Sequence, residues 1–399
     1  MSGEPTPTLK AVPRPHWGYQ TSLFQWHQPA FWLFALLLLG AGILTILEQS
    51  AFLSYTPGGF VLSWLLLALY AVPLAWLIYS LDLYEREPLS LVIGAFLWGA
   101  VAATSLSALG NTGWALVILD LFGPEFTNKW VAALTAPWVE ELMKGVGVVL
   151  IYLIARREID DVMDGFVYGA MVGLGFTVVE DVFYFIGVFG GETTGILTGF
   201  YLRVIASGLY GHVLYTGLVG MGIAYFVRHR HDKTMGQRFG VGAGLAALAV
   251  FGHFLWNSPL LDFFPDMPWT AGDWLLIPLA TAVKGVPLLL VVVLMVRLAH
   301  RREHRWLEAA LHEEVGRAGL TAEELEVLKD PGARKRARRE MRARGGTAAM
   351  ATLKRMHREQ MNLAMVATRV PDADHPDLVR QRELCASLRE RLPKAPAQA

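Results

Sequence analysis

Ionisable and polar side chains interrupt five long apolar stretches of this 399-residue chain. One stretch contains "EELMK", which places Glu140, Glu141 and Lys144 within a single helical turn and a half. The other stretches contribute Glu180, Asp181, His212, His253, Asn257 and Lys284. Glutamate and histidine can act as general bases toward water, and imidazole and carboxamide N–H groups can stabilise an oxyanion. Proton relays in membrane transporters use the same groups, so these residue types predict a hydrolase or a transporter.

Helical spacing decides which of these groups can meet within one helix. Lys144 follows Glu140 by four residues and Glu141 by three, so it can pair with either carboxylate. Glu180 and Asp181 point about 100° apart on a helix, and we expect only one of them to face a shared centre. A purely structural alternative is that Lys144 neutralises a glutamate for membrane insertion.

Structural explanations also exist for the other polar residues. A lone membrane histidine such as His212 is more often a hydrogen-bonding partner between helices than a catalyst, and Asn257 could have the same role. Lys284 could be the counter-ion of an excess carboxylate. Gly165, Gly169 and Gly173 form a face that predicts close packing of a neighbouring helix beside Glu180. A second stripe with four-residue spacing consists of Gly208, His212, Thr216 and Gly220.

Composition places these residues in a membrane domain. Hydrophobic residues make up 54% of the chain, mean hydropathy is +0.38, and the long apolar runs end near residue 298. We predict an all-α polytopic membrane protein with a cytoplasmic N-terminal segment (1–29), a transmembrane domain (30–298) and a basic, helical cytoplasmic tail (299–399). About eight transmembrane helices are expected, at 30–47, 60–80, 89–110, 130–155, 164–189, 203–227, 238–261 and 274–298. The intervening residues 111–129 are predicted to be re-entrant or interfacial.

Loop charges predict the orientation of these spans. Nine lysines and arginines fall in the N-terminus and in loops 81–88, 156–163 and 228–238, whereas the opposite loops hold only Lys129 and Arg203. The positive-inside rule makes the first set cytoplasmic, so both termini are predicted to be inside. We expect no cleavable signal peptide, because no basic segment leads into a short apolar core.

The polar groups of five spans fall at one depth when residues are counted inward at 1.5 Å each. Glu140, Glu180, His212, His253 and Lys284 then lie about 12–17 Å from the outer surface. Isolated structural polar groups have no reason to share a depth. The coincidence predicts one wet centre in the outer half of the bilayer, and the absence of an internal repeat favours an enzyme over a transporter.

Four segments in this order resemble the PrsW family of bacterial intramembrane proteases, part of a superfamily with the CAAX prenyl endopeptidases and bacterial immunity-type membrane proteins. These segments are "EELMK", "GFVYGAMVGLGFTVVED", "GHVLYTGLVG" and "GHFLWN", and "LYEREP" (83–88) is also similar. The superfamily motifs F-x-x-x-[HE] and H-x-x-x-N match Phe176–Glu180 and His253–Asn257. Asp181 departs from the family's usual Glu-Asn pair and adds a potential charge, which Lys284 could compensate.

The resemblance implies an intramembrane endopeptidase of the bacterial plasma membrane. Its expected substrate is a membrane-anchored protein, such as a single-span anti-sigma factor, cut near its extracytoplasmic end. We expect no nucleic-acid partner. The basic segment "KDPGARKRARREMRARGG" of the tail favours contact with anionic lipid or a cytoplasmic partner. A capped helix is predicted to start at Thr321, with Glu324 completing the capping box.

Two mechanisms are compatible with the residues. In the first, Glu140 or Glu141 is the general base, and His212 holds and polarises water. His253 and Asn257 then donate to the oxyanion of the tetrahedral intermediate.

A metal-dependent alternative uses the same neighbourhood. Glu180, His212 and His253 would bind Zn²⁺ and leave a coordination position for water. We expect no obligatory metal, with Lys144 stabilising an ionised glutamate in the low dielectric.

Overall fold

The computed structural model describes residues 21–82, 86–156, 158–159, 161–207, 211–260, 273–370 and 372–393. The regular secondary-structure elements of the described residues are all helices, which confirms the all-α class. Most of the predicted N-terminal segment, Gly208 and residues 83–85 of "LYEREP" lie outside the described residues. Contacts divide the chain into two compact units, one that runs to Arg297 and one that begins at Leu298.

The first unit contains the apolar helices. In chain order they are α1 (Pro29–Tyr55), α2 (Pro57–Leu81), α3 (Leu89–Leu97), α4 (Thr104–Ile154), α5 (Val162–Phe183), α6 (Thr193–Phe200), α7 (His212–Arg228), α8 (Met235–Asn257) and α9 (Asp273–Glu313). Wider π-helical turns join α3 to α4 and extend α5 and α6, at Trp98–Ala103, Tyr184–Val188 and Tyr201–Ile205. The boundary between the units falls within α9.

Six helical stretches of the described chain are long and apolar enough to cross a bilayer. They are Pro29–Tyr55, Pro57–Leu81, Leu89–Ile154, Val162–Val188, Met235–Asn257 and Ile277–Glu313. Large apolar side chains such as Leu36 and Leu69 are exposed on α1 and α2, where hydrocarbon rather than water is the suitable solvent. The polytopic membrane class is therefore confirmed, while the number of eight spans stays a prediction.

Residues 111–129, which are predicted to be re-entrant or interfacial, are helical within α4. This helix is interrupted at Gly123, where φ is 78° and ψ is 172°. Positive φ is accessible to glycine at low cost, so the chain can reverse there. The two arms then pack side by side, because the rings of Trp114 and Trp138 have centroids 5.0 Å apart.

The predicted span 203–227 is also divided differently. Arg203 lies in the π-helical turn after α6, and α7 begins only at His212. Gly211 directly precedes His212, and glycine weakens helix propagation. His212 therefore starts a helix, and the depth counted inward from Arg203 does not apply to it.

Helix α5 is the centre of the first unit. In the most apolar 18-residue stretch of α5 and its π-helical extension, 72% of the residues are buried, compared with 11% in the corresponding stretch of α1. A Cβ atom at Gly169 would lie 2.2 Å from the carbonyl oxygen of Thr216, and one at Gly173 would lie 2.3 Å from that of His212. The glycine stripe thus lets the α7 backbone touch α5, which confirms the predicted close packing.

The second unit continues with α10 (Ala322–Lys329), α11 (Pro331–Arg369) and α12 (Pro376–Glu390). The predicted capping box of α10 is confirmed, since Thr321 Oγ1 accepts from the Glu324 N–H and Glu324 Oε2 accepts from the Thr321 N–H. Arg382 of α12 donates to both carboxylate oxygens of Glu314, at 2.6 and 2.9 Å. This bidentate pair fastens α12 to the residues that follow α9.

Candidate active site

Lys144 lies at the centre of a buried polar cluster. Its Nζ donates to Glu140 Oε2 at 3.2 Å, to Glu141 Oε1 at 2.9 Å and to His212 Nδ1 at 2.8 Å. The side chain is completely buried and packs over the ring of Phe176, 3.8 Å from its centroid. All three ammonium donors are thus used, which is what a cation deep in a membrane protein requires.

Glu141 is held at both carboxylate oxygens. Oε1 accepts from Lys144, and Oε2 accepts from the hydroxyl of Thr216 at 2.9 Å. Thr216 belongs to the helix face that packs on the α5 glycines, so the close approach of α5 and α7 also fixes this carboxylate. Nδ1 of His253 lies 3.3 Å from Oε1 without a directed hydrogen bond.

Both carboxylate oxygens of Glu140 accept hydrogen bonds, and the one bonded to Lys144, Oε2, also faces the imidazoles. Oε1 accepts from Asn111 Nδ2 at 3.1 Å. Oε2 lies 3.9 Å from His212 Nδ1 and 3.8 Å from His253 Nε2, too far for direct hydrogen bonds. Asn111 was missed in the sequence because its segment looked interfacial, and only the reversal at Gly123 brings it against Glu140.

His212 bridges Lys144 and Glu180. Nδ1 faces the ammonium group, and Nε2 lies 3.0 Å from Glu180 Oε2. The ring packs edge-on against Phe176, with centroids 4.8 Å apart. As expected, one of the two adjacent carboxylates, Glu180, contacts the histidine.

Arg203 is the second residue that sequence reasoning missed. Its Nη2 donates to Glu180 Oε2 at 2.7 Å, its Nε donates to Asp181 Oδ1, and its guanidinium lies 3.6 Å from the centroid of the Tyr184 ring. Arg203 was interpreted only as a loop charge that sets membrane orientation. In the structure it supplies the positive charge beside Asp181 that the sequence attributed to Lys284.

Two of the predicted site residues, Asn257 and Lys284, contact backbone carbonyl groups outside the Lys144 cluster. Asn257 Nδ2 donates to the carbonyl of Ala132 at 3.4 Å. Lys284 Nζ lies 3.5 Å from the carbonyl oxygen of Trp256 and 3.4 Å from that of Ser258. His253, one turn before Asn257, does join the cluster and stacks on the ring of Tyr215 at 4.9 Å.

The donor set of a metal site is present. One oxygen of Glu140 and one nitrogen each of His212 and His253 lie within 4.8 Å of one another. Two imidazoles and a carboxylate are a common catalytic zinc set, although the sequence had nominated Glu180 in place of Glu140. Lys144 Nζ lies among the same atoms, so a metal ion bound there requires this ammonium group to move away from His212 Nδ1.

Helices α4, α5, α7 and α8 together form a polytopic membrane fold around buried carboxylates, imidazoles and cations, which is the kind of centre that membrane-embedded hydrolases use. The model of a family described as PrsW family intramembrane metalloprotease matches residues 87–298. The chain belongs to this family and is an intramembrane endopeptidase.

Three curated relatives carry the name Protease PrsW. The one from Geobacillus kaustophilus is 29% identical over 199 residues, which cover 50% of this chain and 72% of the relative. Those from Bacillus subtilis and Clostridioides difficile are 30% and 31% identical over 109 and 107 residues, 27% of this chain and 47% and 43% of the relatives. No solved structure matches the chain.

Proposed function

We propose that this protein hydrolyses a peptide bond of a membrane-anchored protein with Glu140 as the general base. The observation that carries this proposal is that one oxygen of Glu140 and one nitrogen each of His212 and His253 lie within 4.8 Å of one another. Glu140 Oε2 accepts from Lys144 at 3.2 Å, a longer bond than the 2.9 Å from Lys144 to Glu141 Oε1, and it faces His212 and His253 at 3.8–3.9 Å. In this proposal the attacking water bridges Glu140 Oε2 and an imidazole nitrogen from the side, within hydrogen-bond reach of the carboxylate base.

The reaction then needs one proton to be moved twice. Glu140 accepts a proton from water as the water oxygen attacks the scissile carbonyl carbon. The tetrahedral intermediate collapses as the C–N bond breaks, and Glu140 returns the proton to the leaving amine nitrogen. His253, whose Nε2 lies 3.8 Å from Glu140, is placed to donate to the oxyanion when that nitrogen is protonated.

His212 has a positioning role in this scheme. Because Lys144 donates to its Nδ1, the ring proton lies on Nε2 and is directed at Glu180. In this proposal the histidine orients Lys144 and Glu180. The sequence had suggested a different role for it, that of holding the water. Asn257 remains an oxyanion donor in this proposal only if its Nδ2 leaves the Ala132 carbonyl when substrate binds.

A metal ion held by Glu140, His212 and His253 would supply a Lewis acid and a more acidic bound water. Metal analysis of the purified protein, combined with chelation, separates the two mechanisms. Stoichiometric zinc whose removal abolishes cleavage, and whose return restores it, would overturn the metal-free mechanism.

The proposed substrate is a single-span protein, with an anti-sigma factor as the candidate that the family resemblance suggests. The positive-inside distribution supports cytoplasmic termini and a plasma-membrane location, with cleavage near the extracytoplasmic end of the substrate. Reporter fusions at both termini and mapping of the cut in a co-expressed single-span protein test this part.

The base assignment is tested by carboxamide variants in a cleavage assay with that substrate. Glu140→Gln should reduce kcat by at least about 10³-fold, because a general base contributes roughly 10²–10⁴ and the charge is also lost. Glu125→Gln changes an exposed glutamate of the same helix and should cleave normally. We expect the Glu140→Gln variant to fold normally and to be inactive. Normal cleavage by this variant would show that Glu140 is not the general base.

A further inference from the structure

The C-terminal unit contains a basic cleft that peptide-bond cleavage does not use. Its volume is about 450 Å³, which lies in the range of small-molecule sites. Six of its lining residues are basic or histidine: Arg334, Arg338, Lys354, Arg355, His357 and Arg358.

A break in α11 builds this cleft. Gly346 has φ 74° and ψ −167°, which interrupts the helix between residues 331–345 and 347–369. Leu353 and Met356 of the second arm pack with Leu388 of α12, and Ala337 and Met341 of the first arm lie against the same cluster. This packing sets the arms side by side, and each arm contributes cations to the cleft.

Several cations of the cleft lack a partner carboxylate in the part of the chain that the structure describes, where no lining residue is acidic. Among the residues that the structure describes, no carboxylate pairs with Arg338, Lys354 or Arg355, and Arg358 has only a 3.5 Å contact with Glu359. Like charges gathered from two arms repel one another, so the folded arrangement favours an anion between them.

Buried polar atoms also point to a ligand. His357 is only 5% exposed, and its Nδ1 has no hydrogen-bond partner in the described structure. Nε of Arg338 is likewise buried without a partner. Buried donors and acceptors are nearly always satisfied, so two such atoms in one cleft indicate a binding site.

We propose that this cleft binds a small anion with two or more phosphate groups, either a soluble phosphorylated molecule or a lipid headgroup. Several guanidinium groups around one cavity suit phosphate oxygens, which accept paired N–H bonds from arginine. A single inorganic phosphate is much smaller than the cleft and would leave most of the cations unpaired. His357 Nδ1, which has no partner in the described structure, adds one further hydrogen-bonding group.

The test uses the full-length protein in nanodiscs of zwitterionic lipid. Pyrophosphate and ATP are titrated without divalent metal, inorganic phosphate serves as the small-anion comparison, and vesicles that contain cardiolipin, whose headgroup carries two phosphates, test the lipid source. We expect saturable binding of pyrophosphate or ATP, or else selective binding of the vesicles, and inorganic phosphate should bind more weakly. The first result identifies a soluble ligand and the second a headgroup.

Matched variants distinguish the cleft from general surface charge. Arg338→Gln should weaken binding about tenfold or more, since a charged hydrogen bond contributes roughly 1.4 kcal/mol or above. Arg339→Gln removes the same charge from the adjacent exposed position and should change binding by less than about twofold. Lys354→Gln alters an exposed lining residue, so its effect does not depend on folding.

The proposal would be overturned if Arg338→Gln and Arg339→Gln weakened binding equally. It would also be overturned if neither the soluble phosphates nor the lipid vesicles bound saturably. Cleavage of the membrane substrate is measured separately in the same samples. Anion binding by the cleft does not depend on Glu140 as the general base, so a negative result for either proposal does not affect the other.

Discussion

Nζ of Lys144 lies 2.8 Å from Nδ1 of His212, so a lysine of α4 donates a hydrogen bond to the first residue of α7. An ammonium group can only donate, which makes Nδ1 the acceptor and fixes the ring proton on Nε2. That nitrogen faces Glu180 of α5 at 3.0 Å. Three helices are thus joined through a chain of side chains that also orients the two glutamates of α4.

Replacement of Lys144 by methionine should abolish cleavage and destabilise the protein by about 3–5 kcal/mol. The substitution keeps most of the volume but leaves Glu140 and Glu141 buried without their cation, which is the costly way to break an ion pair. Thermal unfolding in detergent and cleavage are measured together. Lys129→Met, at an exposed position of the same helix, should match the wild type; similar losses in both variants would contradict this account.

Arg203→Gln should lower both stability and cleavage, and a second change, Asp181→Asn, should restore part of the loss. Arg203 is paired with Glu180 and Asp181, so its removal leaves two carboxylates uncompensated, and the second change removes one of them. A double-mutant cycle on unfolding free energies should give a coupling of at least about 1 kcal/mol. Strict additivity would show that Arg203 and Asp181 act separately.

Gly169→Ala should destabilise the protein by roughly 1–3 kcal/mol and reduce cleavage. The new methyl group would meet the Thr216 carbonyl oxygen at 2.2 Å, so α5 and α7 must separate and Thr216 must leave Glu141. Gly244→Ala in α8 is the matched control, because nothing lies within 4 Å of its added Cβ atom. Alanine favours a helix by about 1 kcal/mol over glycine, so the control should be neutral or more stable.

Acidification should destabilise the C-terminal unit through His357. Burial, with Arg338 and Arg334 nearby, lowers the pKa of His357 from 6.5 to about 4. The unfolded chain therefore binds a proton more readily than the folded one, so stability is complete above pH 6.5 and falls as the pH drops toward 4. The loss should be on the order of 2–3 kcal/mol at about 1.4 kcal/mol per pH unit.

Limited proteolysis of the tail between pH 7 and pH 4 measures this effect. His357→Gln should have a flatter pH dependence, whereas His375→Gln, at a partly exposed histidine, should follow the wild type. A His357→Gln profile that coincides with the wild-type profile would show that another group controls the acid sensitivity.

The sequence by itself determined the membrane class, the helical content and the family. Long apolar runs can satisfy their backbone in a bilayer only as helices, so their presence is readable without a structure. Local spacing also sufficed for contacts within one helix or at its start, such as Lys144 with Glu140 and Glu141, and Thr321 with Glu324.

Only the tertiary structure decided which distant residues complete the centre. Asn111 reaches Glu140 because the chain reverses at Gly123, and Arg203 reaches Glu180 and Asp181 because the sixth predicted span breaks before His212. Hydropathy measures the cost of leaving water but carries no information on where a helix reverses. The partners of a buried charge depend on those reversals, which is why they had to be found in three dimensions.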